Sequence, residues 1–187
     1  VDQTINASSF AARTTTAGAS LIVANAITIQ DGGSLTLNSA GTLRINAPVS
    51  MKGASTASLS YDASDPANFT FAIGAPLTYA NADGSMATAS TGGTLSINGQ
   101  SYQLLYTMGD LAGINGGSGK YALVNSLSPA GTYSDAIVGY FTGTFDGLGH
   151  TITGLTINSG SYAALFGNLS GTVRDIGLVG GAMTGGD

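Results

Sequence analysis

His150 is the only histidine of the chain, and in Asp146-Gly-Leu-Gly-His150 it is close enough to Asp146 for an acid–base unit. Such a unit acts on a nucleophile or through a second base, and the sequence puts neither in view, so a turn histidine is the preferred reading. Glycoside chemistry wants two carboxylates facing one groove. The pairs on offer are Asp62 with Asp65 and Asp146 with Asp175. The five Lys and Arg residues are scattered, so neither pair is expected to have a cationic partner. Calcium needs several oxygen ligands converging in one loop. Asp31-Gly-Gly and Asp83-Gly read instead as ordinary turns, and the Gly-rich calcium nonapeptide is missing. No catalytic residue, no metal and no other cofactor is expected.

Binding is the other chemistry on offer. Tyr102, Tyr106 and Tyr121 are candidates for a carbohydrate-stacking or protein-binding surface. The plainer alternative is that they cover a junction between elements. Thr151, Thr153 and Thr156 suggest an ice-binding face but form no ladder over several coils. Asn6-Ala-Ser8, Asn68-Phe-Thr70 and Asn168-Leu-Ser170 match the glycosylation acceptor pattern, as chance allows in a chain this rich in Asn, Ser and Thr.

The elements that must position these residues are strands. All ten acidic residues are Asp, Glu is absent, and 29 glycines accompany abundant Ser, Thr and Asn. That composition disfavours helices and favours strands and tight turns. Net charge is −5 with no basic cluster, which argues against phosphate-driven nucleic-acid binding. Zero cysteine excludes a disulfide framework. Mean hydropathy is +0.25, yet no apolar run reaches the roughly 18 residues of a spanning helix, so no membrane insertion is expected. No signal peptide is recognisable, and repeat-like sequence at both termini reads as a fragment of something longer.

Apolar pairs at i, i+2 spacing recur through the first 60 residues: Leu21/Val23, Ile27/Ile29, Leu35/Leu37, Leu43/Ile45, Val49/Met51. A shift of 22 residues lays Leu21 on Leu43, Val23 on Ile45, Ile27 on Val49, Ile29 on Met51 and Leu37 on Leu59. Near the C-terminus a shift of 21 lays Phe145 on Phe166, Leu148 on Leu169, Ile152 on Val173, Leu155 on Ile176 and Ile157 on Leu178. Short strands at a fixed period, parted by Gly-rich turns, describe stacked coils with side chains in ladders. An antiparallel sandwich also has short alternating strands, but nothing in it demands a fixed period. The expected fold is therefore all-β, a right-handed parallel β-helix with a β-hairpin-containing insertion. Its parts are coils over 1–60, an insertion over 61–120, and coils over 121–187. Within the insertion, Asn98-Gly99 predicts a two-residue hairpin placing Leu95 opposite Tyr102, expected to leave the helix or cap its side. Met108–Ile114 is the one plausible helix, with Thr107 as N-cap.

The segment from Phe141 to Ile157 (Phe-Thr-Gly-Thr-Phe-Asp-Gly-Leu-Gly-His-Thr-Ile-Thr-Gly-Leu-Thr-Ile), with Ala164-Leu-Phe-Gly167 and Val173–Leu178, resembles the GLUG-motif repeats of bacterial surface proteins. The hairpin Thr94–Tyr106 and the Met108–Ile114 turn are similar to the segment leading into such repeats in filamentous-haemagglutinin-like exoproteins of the two-partner-secretion pathway. The likeness covers Thr94–Gly186, with residues 1–60 fitting only as generic coils, and Ala164 stands where the motif usually has its first Gly. Physically the motif reads as turn geometry and packing, with Gly147, Gly149, Gly154 and Gly167 at tight corners and Phe145 and Phe166 in the core.

The resemblance implies a secreted, cell-surface structural or adhesive segment serving attachment or biofilm formation, exported by an outer-membrane two-partner-secretion transporter. A glycan or a host or bacterial surface protein is the expected partner. The alternatives are a homopolymeric surface filament formed by end-to-end self-association, and a polysaccharide-acting β-helix enzyme. Ile152→Asp puts a charge on a ladder position and is expected to abolish cooperative unfolding of the C-terminal part. Circular dichroism melting checks this, and an unchanged curve would contradict the ladder.

Overall fold

In the computed structural model, which describes residues 4–185, the chain is a parallel β-solenoid. The first coils are β1 (Ile5–Arg13), then β2 (Leu21–Val23) and β3 (Ile27–Asn38), then β4 (Leu43–Ile45), β5 (Val49–Lys52) and β6 (Thr56–Ser60). β7 (Phe69–Phe71), β8 (Leu77–Ala80) and β9 (Thr94–Ile97) make one more coil on the same three walls. The ladders of the first coils have the register the sequence period predicts: Leu21 on Leu43, Ile27 on Val49, Ile29 on Met51, Leu37 on Leu59. Stacking then continues through the 61–120 stretch at a longer stride. Phe69 lies on Leu43, Leu77 on Val49 and Leu95 on Ala57. The extra residues sit in loops between walls, so the period is lost while the ladder is kept. Interior positions are apolar and closed to water, and the buried Tyr79 satisfies its hydroxyl by donating to the Thr94 carbonyl at 2.6 Å.

The expected hairpin forms. Asn98 and Gly99 have φ of 49° and 72°, and Leu95 faces Tyr102 across the antiparallel pair of β9 with β10 (Gln100–Leu105). Its place is a correction: it neither leaves the helix nor caps its side. β9 pairs with β6 on one flank, and β10 pairs in parallel with β11 (Lys120–Leu123) on the other, so the hairpin lies within the wall. Between them α1 (Met108–Gly113) has its capping box, Thr107 Oγ1 accepting from Asp110 N–H at 3.1 Å and Asp110 accepting from Thr107 N–H at 3.0 Å.

Beyond β11 and β12 (Thr132–Tyr133) come β13 (Val138–Phe141), β14 (Thr144–Asp146), β15 (Thr151–Thr153) and β16 (Thr156–Asn158). The last described coil repeats these four walls as β17 (Phe166–Leu169), β18 (Thr172–Arg174), β19 (Gly177–Val179) and β20 (Ala182–Thr184). Here the 21-residue register is corrected. Phe145 stacks on Val173, Ile152 on Leu178 and Ile157 on Met183. A shift of 21 residues lands one wall short of a full coil. Several walls resemble one another, β14, β15, β16 and β18 each being a threonine followed by one apolar and one polar residue, so self-similarity appears at the wrong offset. Phe145 and Phe166 do touch, with ring centroids 5.4 Å apart, but from adjacent walls rather than within one ladder.

The hairpin turns the chain over. β6, β9, β10, β11, β14 and β18 form one continuous sheet, in which β9–β10 is the antiparallel pair. Leu95, Ala122 and Val124 belong to one apolar core, with Tyr102 and Leu104 packed against it. Leu105, Leu123 and Phe145 belong to a second core, with Tyr121 against it. Successive side chains of a strand point to opposite faces, so the cores lie on opposite sides of the shared sheet. Reversing strand direction while keeping the core on one side would invert the hand of the coil. Changing sides at the same point restores it, and both stacks wind alike.

The first-core face of the shared sheet thus overhangs the end of the first stack, and the second stack supplies its lid. Leu148, fully buried, is inserted into the first core, its carbonyl accepting from Leu77 N–H at 3.1 Å, while Gly149 accepts from Gly74 N–H at 3.3 Å. The insertion requires φ of 48° at Leu148, an unusual value for a branched side chain. Leu148→Ala is expected to cost about 2–5 kcal/mol through lost burial and a residual cavity. Denaturant unfolding measures it, with protection of β7 and β8 amides falling first in hydrogen exchange.

Candidate functional site

The polar residues singled out from sequence gather at this seam, but as structural partners. Asp146 ends β14 on the first-core face, where the ladder sets Arg174 beside it. Arg174 Nε donates to one carboxylate oxygen at 2.7 Å, and Leu148 N–H donates to the other at 2.9 Å. The guanidinium lies 4.7 Å from the Phe69 ring centroid and donates to the Tyr61 hydroxyl at 3.2 Å. Tyr61 in turn stacks on Phe69 at 4.9 Å. The expectation that Asp146 lacks a cationic partner is corrected. It rested on the scatter of the basic residues along the chain, but stacking of β18 on β14 brings Arg174 to Asp146 across 28 residues.

Burial pushes the Asp146 carboxyl up to about 6, against the pull of Arg174. Burial also works against the Arg174 charge, but the Asp146 carboxylate together with the Tyr61 and Tyr102 hydroxyls more than offsets it and holds Arg174 above its ordinary value. Asp175 accepts from Phe71 N–H at 3.2 Å, and its other oxygen is buried without a partner. Burial raises it as well. Asp62 and Asp65 lie apart from this cluster and cap local turns, accepting from Ser64 N–H at 3.0 Å and Ala67 N–H at 2.8 Å. Neither carboxylate pair faces a common groove as two free groups.

His150 makes no hydrogen bond to Asp146. Its Nε2 lies 2.9 Å from the Leu77 carbonyl and its Nδ1 lies 3.2 Å from Ser126 Oγ. A carbonyl only accepts, so the proton sits on Nε2 and Nδ1 accepts from the Ser126 hydroxyl. Burial lowers His150 to about 4 and keeps it neutral. A serine beside a histidine base is the arrangement of an activated nucleophile. Here the imidazole is 2% exposed, has a carbonyl rather than a carboxylate behind it, and resists becoming imidazolium. Ser126 Oγ also accepts from Thr151 N–H at 3.2 Å, tying one coil to the next. Ser126 escaped sequence reading because the bridge of Leu127 to Ile152, which sets it opposite Thr151 and within reach of the His150 ring, follows no visible period.

The three tyrosines do not form one surface. Tyr106 is 4% exposed, in the first core. Tyr102 packs against that core and, with Tyr106, borders a shallow groove of about 340 Å³ that Ser101 and Gln103 also line. Tyr121 points to the opposite face, with its ring 5.9 Å from that of Phe141. Of the four glycines, Gly149 and Gly154 have φ of 79° and 75°. Gly147 and Gly167 are needed for a different reason, because a Cβ there would press on the Asp175 and Gly139 carbonyls respectively. Of the three glycosylation patterns, Asn68 has its amide engaged, donating to the Asp62 carbonyl at 3.0 Å, while Asn6 and Asn168 are exposed.

Among the described residues no group of three or more His, Cys, Asp or Glu side chains converges on a metal position. Among the described residues no helix is long and apolar enough to cross a membrane. Comparison with known proteins gives no matching family model, no matching curated protein and no matching solved structure.

Asp146 and His150 impose opposite pH dependences. Asp146 is raised from 3.8 to about 6, so its favourable contribution is full below about 3.8 and lost as pH rises through about 6. His150 is lowered from 6.5 to about 4, so its contribution is full above 6.5 and lost as pH falls through about 4. In the native chain the two slopes oppose over the same window. Asp146→Asn should leave a protein that weakens from pH 6.5 to 4, and His150→Gln one that strengthens over that interval. Denaturant midpoints at several pH values check both signs.

Proposed function

We propose that the chain is a structural and adhesive segment of a large secreted bacterial surface adhesin, of the filamentous-haemagglutinin-like kind it resembles, and not an enzyme. The observation that carries this reading is the continuous stack. Each coil adds about 4.8 Å of rod and a fresh outer face, with the interior filled by apolar ladders. The joint at Asn98-Gly99 passes from one stack to the next without interrupting the sheet, as a shaft requires. The groups that would do chemistry are committed to the seam: Asp146 to Arg174 and Leu148, His150 to Leu77 and Ser126. Export by a two-partner-secretion transporter, a place on the cell surface and a role in attachment or biofilm belong to this proposal.

A homopolymeric filament is the second reading. Leu178 and Met183 on the last described coil are 47% and 43% exposed, although Ile152 and Ile157, their ladder partners in the preceding coil, are buried. A second copy laid on that edge would cover them.

Deleting Thr94–Tyr106 would sever the joint, so the intact chain must be tested. The purified chain is expected to bind epithelial cells and a subset of a glycan array while sedimenting as a monomer. Concentration-dependent growth in sedimentation without cell binding would favour the filament, and a folded monomer that binds nothing would leave a passive shaft.

A further inference from the structure

Beside the seam, the outer face of the β3–β5–β8 wall forms the floor of a groove of about 430 Å³. Two ladders run along it. One is apolar, Pro48 above Pro76, where each proline precedes a wall strand. The other is hydroxyl-bearing, Thr28 on Ser50 on Thr78 in strict register. At about 4.8 Å per coil the three hydroxyls span roughly 10 Å. On the neighbouring β3–β6–β9 wall the outward hydroxyls pair in part, Ser34 with Ser9 at 3.1 Å and Thr94 with Thr56 at 3.2 Å, while Thr36, Ser58 and Ser96 form a second hydroxyl ladder in register. Those of Thr28, Ser50 and Thr78 face the groove. Met86, 65% exposed, and the Asn125–Ser126 corner close one side. The Asn125 amide donates to the Ala87 and Tyr106 carbonyls at 2.6 and 3.1 Å, so this side is rigidly held.

Among the described residues that line the groove none carries a charge, and His150 at its base is neutral. In a chain of net charge −5 this is a neutral strip. We propose that the groove binds a neutral glycan strand lying along the solenoid axis, its hydroxyls on the Thr28–Ser50–Thr78 ladder and its C–H faces on the prolines and Met86. The inference deepens the adhesive reading and rests on it for its biological meaning. The nearest cation, Lys52 beside Gly84 at one end of the groove, has Asp83 close to it, so a phosphorylated or acidic ligand finds no net positive charge. An extended peptide would seek unpaired strand edges, whereas this floor offers only the side-chain face of strands already hydrogen-bonded on both flanks at β3 and β5.

The test is calorimetric titration of the whole chain with cellotriose, chitotriose and maltotriose, and with trigalacturonate as the acidic control. At least one neutral trisaccharide is expected to bind. Ser50→Tyr and Thr28→Tyr, which fill the groove from outward-facing positions, should each weaken binding by about tenfold or more. Ser58→Tyr, outward-facing on β6, should leave it unchanged. Failure of all three neutral sugars to bind, equal binding of trigalacturonate, or binding that survives both groove variants in folded protein overturns the proposal. Cell attachment equal in wild type and Ser50→Tyr, with no trisaccharide bound, would sink the groove and spare the adhesive reading. Trisaccharide binding abolished by Ser50→Tyr in a chain that attaches to no cell would support the groove and sink the adhesive reading.

Discussion

The pairing of β9 with β10 around Asn98-Gly99 is the constraint from which the rest follows. Strand edges buried in a stack must find hydrogen-bond partners, and a parallel coil meets this by laying each strand on the one before. A two-residue turn admits only antiparallel pairing. Once the chain turns there, it either leaves the sheet or reverses within it. Here it stays, and the reversal is compatible with one hand of winding only because the apolar residues change face, from Leu95 and Tyr102 to Leu105 and Leu123.

The seam chemistry is a consequence. Because the second stack lies across the sheet from the first, the first-core faces of β14 and β18 project over the end of the first stack. An open end would expose Phe69, Phe71 and Leu77 and leave β7 and β8 as unpaired edges. Leu148 fills the opening, and the carbonyls of Leu148 and Gly149 pair the β8 side. Asp146 and Arg174 fall where the lid meets Phe69 and Tyr61. A buried ion pair contributes little net stability but makes the loss of one partner costly, so the clasp selects one docking of the stacks rather than tightening it. Gly147, Gly149 and Asp146 of the segment that resembles a GLUG motif are explained by this lid without any chemistry of their own.

Periodicity was legible where coils have equal length. Leu21 to Leu59 repeats without insertions, so one offset identified every ladder. It failed where loops lengthen coils unequally, since a ladder depends on spatial register and tolerates any loop that returns in phase. The 21-residue offset misled because adjacent walls are alike, and the partner of Asp146 was missed because basic residues scattered along the chain can still meet an acid through stacking. Ser126 was invisible for the same reason. The tyrosines could be picked out by type, but Tyr102 and Tyr121 differ by strand parity in a sheet buried on both faces, and burial pattern alone does not say which face serves which core.

The sequence by itself determined the all-β class, the first ladders, the Asn98-Gly99 hairpin and the Thr107-capped helix. Each of these depends on local backbone preference or on short, constant spacing. Only the tertiary structure decided that the hairpin joins two stacks, that the Asp146–His150 turn closes one of them, and that Arg174 meets Asp146. Those outcomes depend on which sheet edge a reversed strand rejoins and on which side its core then lies. Residues far apart in the chain settle that choice together, through packing that no single spacing records.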